Sequence, residues 1–490
     1  MVVFIDDMLV DSKSSVEYEA HMRLVLQERI KAAQKEDVEL IEVMEGVQNG
    51  LKPNFNISSD GATSATTVLA VASACAFSML ILSTLVGAMV TYQSFPNPTT
   101  KDLSVVFFIL CLASSGLGST PSFNVIDYGA VGDGRTDDSP AFLKAWKAAC
   151  QAPSNTPTLV VIPGKRTFLL KPATFSGPCK PPRITFRVEG NIVAPNQKAA
   201  WKGFHVNTWL VFSSVNGLTV NGGGQFDGQG SAWWSQLCSN NALTFRRCNN
   251  LRLNGLRHTN SQRNHMTITA CNGAVISNLN ITAPGTSPNT DGINIASSSN
   301  IQIRNSIIAT GDDCIAVSGG SSNINITGIS CGPGHGISIG SLGQGGYDTV
   351  ENVNVQNCTL IGTLTGVRIK TWQGGSGYAR KISFKGIKLV EVITPIIIDQ
   401  FYCPSQVNCQ NKTSAVKVSD VSYRGIVGTS SSADKVINLS CSQTVGCTDI
   451  QLDHVYIKST VPGKKARSFC FNAYGRATHT KPIVRCLSKT

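Results

Sequence analysis

Four short segments in the second half of the chain gather the residue types that could do chemistry. They are S-P-N-T-D-G (Ser287 to Gly292), G-D-D-C (Gly311 to Cys314), G-P-G-H-G-I-S-I-G-S (Gly332 to Ser341) and R-I-K (Arg368 to Lys370). Asp291 and Asp312 are 21 residues apart, and Asp312 and His335 are 23 apart. Intervals of that size, close to one coil of a repeating structure, would stack these side chains as neighbours. Carboxylates held close together cannot all ionise independently, so one keeps a proton to donate. Glycoside hydrolysis needs such an acid for the leaving oxygen, and an inverting enzyme also needs a base to activate water on the opposite face. Arg368 and Lys370, two apart on a strand, point the same way and turn Ile369 into the core. Such a cation pair suits a uronate carboxylate. Each segment alone has a plainer reading: G-D-D is usually a turn, and S-P-N-T-D-G an Asn/Asp turn. Their conjunction and order carry the inference.

The elements that must position them repeat along the chain. A polar pair followed by alternating apolar residues recurs at Leu218, Leu251, Ala274, Ile301, Ile324, Val353, Ile382, Val416 and Ile450. Steps above 20 residues mean stacked units. The strands have period-2 alternation and too little chain between them for crossover helices, which predicts a solenoid of parallel strands. The expectation is all-β: a right-handed single-stranded parallel β-helix. Ahead of it, Ser139 and Pro140 suit the start of a short capping helix, with Phe142, Leu143, Trp146 and Ala149 on its apolar face.

The chain has 490 residues, 45 glycines, 15% charged residues and a formal charge of +12. Many glycines with few charges fit short strands and tight turns. Residues 1–60 are acidic, and from Lys458 onward there are eight Lys/Arg and no acid. A basic domain attracts polyanions, and charge alone does not choose among them. No nucleic-acid module is recognisable, so no nucleic-acid partner is expected. Fourteen of the 16 cysteines lie between Cys150 and Cys486 without zinc-type C-x-x-C pairs. The spacings Cys403/Cys409, Cys441/Cys447 and Cys470/Cys486 look like loop staples. With glycosylation sequons at Asn280, Asn325, Asn357, Asn411 and Asn438, they favour a secretory destination. No metal or cofactor is expected.

The first 120 residues read differently. Val2 to Ser14 resembles the catalytic hairpin of retrotransposon reverse transcriptases, but the rest of a polymerase palm is missing. Residues 1–60 are therefore expected to be a non-functional retroelement fragment. Residues 61–120 hold two apolar runs. Thr67 to Tyr92 could span a bilayer. Leu103 to Leu112 follows Lys101 and leads into small residues, as a displaced signal peptide would. The displaced signal is preferred over a membrane anchor at 67–92, with the mature domain at 121–490.

From Phe123 to Cys486 the chain resembles, motif for motif and in order, the polygalacturonases of glycoside hydrolase family 28, the plant members especially. The resemblance implies the β-helix fold and hydrolysis of α-1,4-linked galacturonan in the cell wall. It implies Asp312 as general acid, Asp291 and Asp313 holding and activating the water, and His335 beside them, supporting the acid's protonation cycle or hydrogen-bonding the sugar. It also implies substrate contacts from Asn289, Arg368, Lys370 and Tyr402, and a Cys314–Cys331 disulfide. Gly334 and Gly336 would let substrate approach the backbone. A secreted monomer acting on acidic polysaccharide is expected, with endo and exo attack left open. The alternatives are rhamnogalacturonan or xylogalacturonan hydrolysis, or a catalytically silent wall-binding β-helix.

Overall fold

The repeat owes its asparagines to the backbone. The residue just before each copy in register is in the left-handed conformation: Asn250 (φ 55°), Asn300 (58°), Asn323 (56°), Asn352 (55°), Asp420 (53°) and Asp449 (57°), with glycine at 217 and 273 and Lys381 (54°) before Ile382. That conformation is costly for most L-residues and least so for Gly, Asn and Asp. The asparagines also join successive coils. Asn300 Nδ2 donates to Asn272 Oδ1 at 2.7 Å, Asn323 Nδ2 to Asn300 Oδ1 at 3.2 Å, and Asn352 Nδ2 to Asn323 Oδ1 at 3.0 Å.

The computed structural model describes residues 120–153, 155–201, 203, 208–235, 241–403 and 412–487. The retroelement-like stretch, both apolar runs and the Asn411 sequon lie outside the described residues.

Each coil has three faces. One coil runs Met266–Thr269, Asn272–Ser277 and Asn280–Thr282; the next runs Ile293–Ala296, Ser299–Arg304 and Ile307–Ala309. Each strand pairs in parallel with its counterpart one coil on. The first faces make an 11-stranded sheet, and the other two together a 22-stranded one. The fold is the expected right-handed parallel β-helix. Towards the C-terminus the second and third strands fuse into Ser376–Val390, Lys417–Ser430 and Cys447–Ser459.

Strand register tests the repeat directly. Leu251, Ala274, Ile301, Ile324, Val353 and Ile382 pair in succession, as expected. Val416 does not continue the column: Ile382 pairs with Val421, which pairs with Ile450. The true copy is S-D-V at Ser419 to Val421, whose Asp420 supplies the left-handed residue; Ala415, ahead of Val416, does not.

Inward side chains stack into columns such as Ile276, Ile303, Ile326, Val355, Phe384, Tyr423 and Leu452, all buried. Stacked rings follow the strand spacing: Phe175–Phe212 at 4.8 Å and Phe384–Tyr423 at 5.1 Å between centroids. The open N-terminal end is covered by helix α1 (Ser139–Gln151). Its cap residue is Asp138 and not Ser139. The Asp138 carboxylate accepts from the Val131 and Gly132 amides at 2.7 and 3.1 Å, and Ser139 Oγ accepts from Lys171 N at 2.7 Å. Phe142, Trp146 and Ala149 face the core, whereas Leu143 is exposed, because the buried stripe runs through Ala141 and Ala145.

The disulfides Cys150–Cys179, Cys314–Cys331, Cys441–Cys447 and Cys470–Cys486 are formed. Cys403 is also disulfide-bonded. Cys248, Cys271 and Cys358 are buried free thiols, so the cysteines do not all pair.

Candidate active site

Three adjacent strands of the 11-stranded sheet carry the site at their entrances. Ile293, Ile315 and Ile337 pair across Ile293–Ala296, Ile315–Val317 and Ile337–Leu342. Asp291, Asp313 and His335 each stand two residues earlier, and Asp312 precedes Asp313. The register persists into these entrances: Gly292 N bonds Asp313 O at 2.9 Å, and Cys314 N bonds Gly336 O at 2.8 Å. The residues lie in the lead-in segments and not within the strands, so their side chains escape strict in-out alternation.

Asp313 is the most enclosed of the trio, with a side chain 1% exposed. Its Oδ1 accepts from Arg368 Nη2 at 2.6 Å and Ser338 Oγ at 2.8 Å, and its Oδ2 from Lys370 Nζ at 2.6 Å. Arg368 Nε also donates to Ser338 Oγ at 3.1 Å. Arg368 and Lys370 therefore form no solvated pair; their side chains are 13% and 10% exposed. They stand on Thr365–Trp372, the strand after His335's, and both reach back to Asp313. The expected uronate contact must share them with this carboxylate.

Asp312, 17% exposed, faces outward beside His335. His335 Nδ1 lies 2.9 Å from Asp312 Oδ1. The same oxygen accepts from the Asp313 amide at 2.8 Å, and Asn289 Nδ2 donates to Oδ2 at 3.3 Å. Asn289 is itself left-handed, with φ 54°. Thr365 Oγ1 donates to the His335 carbonyl and so fixes the imidazole-bearing loop from the next coil.

The carboxyls differ in proton affinity. Burial raises Asp291, and the Asp312 and Asp313 charges raise it further, well above the ordinary carboxylate range. Burial also pushes Asp312 up, but the His335 hydrogen bond and charge, with Lys370, outweigh it and bring it to about 2. The split that the sequence anticipates is present. The raised member is Asp291, however, not the expected donor Asp312.

Tyr402 ends the strand Thr394–Tyr402. Lys370 Nζ lies 5.6 Å from the centre of its ring, and Trp372 meets it edge-on at 5.5 Å. The glycines serve the coils themselves. A Cβ on Gly334 would stand 2.5 Å from Asp312 O, and one on Gly336 2.1 Å from Gly366 O. Their lack of a side chain lets neighbouring backbones approach, a role nearer than the expected one for substrate.

Sequence reasoning missed four residues here. With its amide oriented to satisfy both ends, Asn264 donates to Asp291 Oδ1 at 3.3 Å and accepts from Asn294 Nδ2 at 2.7 Å. Asn264 stands two residues before Met266, which pairs with Ile293, so one coil step back from Asp291 finds it. Ser338 lies between inward Ile337 and Ile339, where alternation alone turns it outward. Trp372 follows the R-I-K segment by two.

Asp312, Asp313 and His335 offer ligand atoms within 4.8 Å of one another. Arg368 and Lys370 already meet both oxygens of Asp313, so the chain's own cations supply the positive charge there. The arrangement suits proton transfer between carboxylates.

The family model for glycosyl hydrolases family 28 matches residues 150–479. A protein of Arabidopsis thaliana named as a probable polygalacturonase is 49% identical over 388 residues, 78% of this chain and 83% of its own. Polygalacturonase-2 of Solanum lycopersicum is 43% identical over 372 residues, 73% and 80% respectively. Among solved structures, endo-xylogalacturonan hydrolase from Aspergillus tubingensis superposes with a TM-score of 0.64 at 24% identity, covering 75% of this chain and 98% of that one. A hyperthermoactive exopolygalacturonase from Thermotoga maritima gives 0.58 at 20% identity, covering 69% and 87%. At those identities the likeness is one of fold.

Proposed function

Because the chain belongs to glycosyl hydrolases family 28, we propose that it hydrolyses α-1,4-linked galacturonan by an inverting acid/base mechanism, as a secreted enzyme of plant cell-wall pectin. The observation that carries the mechanism is the gathering of carboxylates beside an imidazole and a cation pair: His335 Nδ1 lies 2.9 Å from Asp312 Oδ1, and Arg368 and Lys370 hold the two oxygens of Asp313 at 2.6 Å.

Asp312 donates to the leaving oxygen, and Asp291 and Asp313 hold and activate the water. Asp312 suits the donor's place because it is more exposed than Asp313 and bonded to His335, through which a proton can be resupplied. In the free protein Asp291 binds a proton more readily than Asp312. A sugar ring over Asp312 removes water, raises its proton affinity and lets it take that proton. Arg368 presents further N–H groups beyond those used by Asp313 and Ser338, and these meet the uronate carboxylate. Lys370 and Tyr402 flank it, and Asn289 keeps Asp312 oriented.

The deciding experiment is product analysis on de-esterified polygalacturonate, with the anomeric configuration followed by NMR. Release of β-configured reducing ends identifies an inverting galacturonan hydrolase. Cleavage confined to rhamnogalacturonan or xylogalacturonan would overturn the substrate, and no cleavage by folded protein would favour a wall-binding role.

A further inference from the structure

From Leu251 onward, each coil bends through one left-handed residue where the second and third faces meet. Following the strand register, these are Gly255, Asn278, Asn305, Gly328, Asn357, Gly386, Gly425, His454 and His479, with φ between 49° and 67°. Seven are glycine or asparagine, the residues that tolerate this conformation best. The last two, on adjacent coils, are histidines.

Their side chains converge. The rings stack 4.6 Å apart at 26°. His454 Nδ1 lies 2.9 Å and His479 Nδ1 3.3 Å from one oxygen, Asp453 Oδ1. Thr478 Oγ1 also donates to that oxygen at 2.8 Å. Arg424 Nε lies 3.7 Å from the other oxygen, Oδ2. Two imidazole nitrogens and a hydroxyl converge on one carboxylate oxygen, more than a surface ion pair needs. Separations of 2.9 and 3.3 Å match the edge of a zinc tetrahedron, about 3.3 Å for bonds near 2.0–2.1 Å.

We propose that Asp453, His454 and His479 bind a divalent transition-metal ion of the zinc type, clamping the final coil to its predecessor. Two imidazoles and one carboxylate favour zinc-like ions over calcium or magnesium. The histidine side chains are 56% and 63% exposed, so a fourth, solvent-facing position is open. The site is remote in sequence from Asp312 and independent of the proposed hydrolysis. Its ligands belong to two coils, so no contiguous C-x-x-C or H-x-x-x-H pattern announces it.

The test uses the whole protein, produced without a polyhistidine tag and stripped with EDTA. Zinc binding is followed by calorimetry, cobalt binding by its visible spectrum, and thermal unfolding is measured with and without zinc. His454→Asn and His479→Asn place at the bend a residue that other coils use there, so folding is preserved and checked by circular dichroism. One zinc per chain, a raised Tm, a tetrahedral cobalt band, and at least about tenfold weaker binding in each variant are expected. Absence of stoichiometric binding overturns the proposal. So does binding that survives both substitutions, or binding abolished by Asp312→Asn in their place.

Discussion

Lys370 Nζ lies 2.6 Å from Asp313 Oδ2, although the two residues are 57 apart in sequence and two coils apart in the solenoid. A cation that spacing alone assigns to the substrate thus meets a carboxylate of the candidate site. Arg368 does the same at the other oxygen. Under the proposed roles, substrate binding and electrostatic control of the trio are coupled through one strand.

That coupling predicts a mixed phenotype for Lys370→Ala. Hydrogen bonds to charged groups contribute about 1.5–3 kcal/mol, and Arg368 and Ser338 remain on Asp313. A stability loss of about 1–3 kcal/mol in urea unfolding is expected, together with a lower kcat/KM. A rise in KM alone, with unchanged stability and kcat, would show that Lys370 meets only substrate.

Asp312→Asn and Asp291→Asn should each lower polygalacturonate turnover by at least about a hundredfold, as loss of general acid–base catalysis does. A galacturonide with a good aryl leaving group separates their roles, since such a group departs without protonation. Asp312→Asn should recover much of its activity on that substrate, and Asp291→Asn should not. The reverse result would move the donor's role to Asp291, the carboxyl whose proton affinity burial raises.

His258 and His265 share a 3.0 Å Nδ1–Nδ1 contact, one coil before Asp291. Burial lowers His258 to about 3 and His265 well below its usual value, with the charge of His258 adding to the latter. Both are thus neutral when folded and protonate in the unfolded chain near pH 6.5. Their share of stability is complete above pH 6.5 and is lost as pH falls towards 3. A His258→Phe/His265→Phe variant should lose less stability between pH 6.5 and 4 than the native chain. Parallel urea-derived curves across that range would contradict the assignment.

Gly336→Ala forces a Cβ to within 2.1 Å of Gly366 O and 2.2 Å of Thr365 O, at a φ of 77°. Both contacts are with backbone, so the coils must separate. A destabilisation above about 3 kcal/mol is expected, at the upper end for single substitutions. Gly345→Ala, with nothing within 4 Å of its added Cβ, is the control and should cost about 1 kcal/mol of left-handed strain.

Much of this protein is legible in its sequence because a solenoid makes distance along the chain periodic. Alternating apolar residues show the strands, asparagines show where the backbone turns left-handed, and a coil-length interval brings Asp291, Asp313 and His335 to equivalent positions. The repeat fails at Val416 because apolar alternation occurs there too; only the strand pairing shows that Val421 continues the column. The sequence also names Arg368 and Lys370 as outward-facing neighbours. It does not say what they meet, since strand spacing fixes a direction but not a partner on another coil. Proton affinities lie further out of reach. Burial, which raises Asp291, and the His335 contact, which lowers Asp312, exist only once the coils stack. The residues of the site were determined by the sequence, and the distribution of charge and proton among them by the tertiary structure.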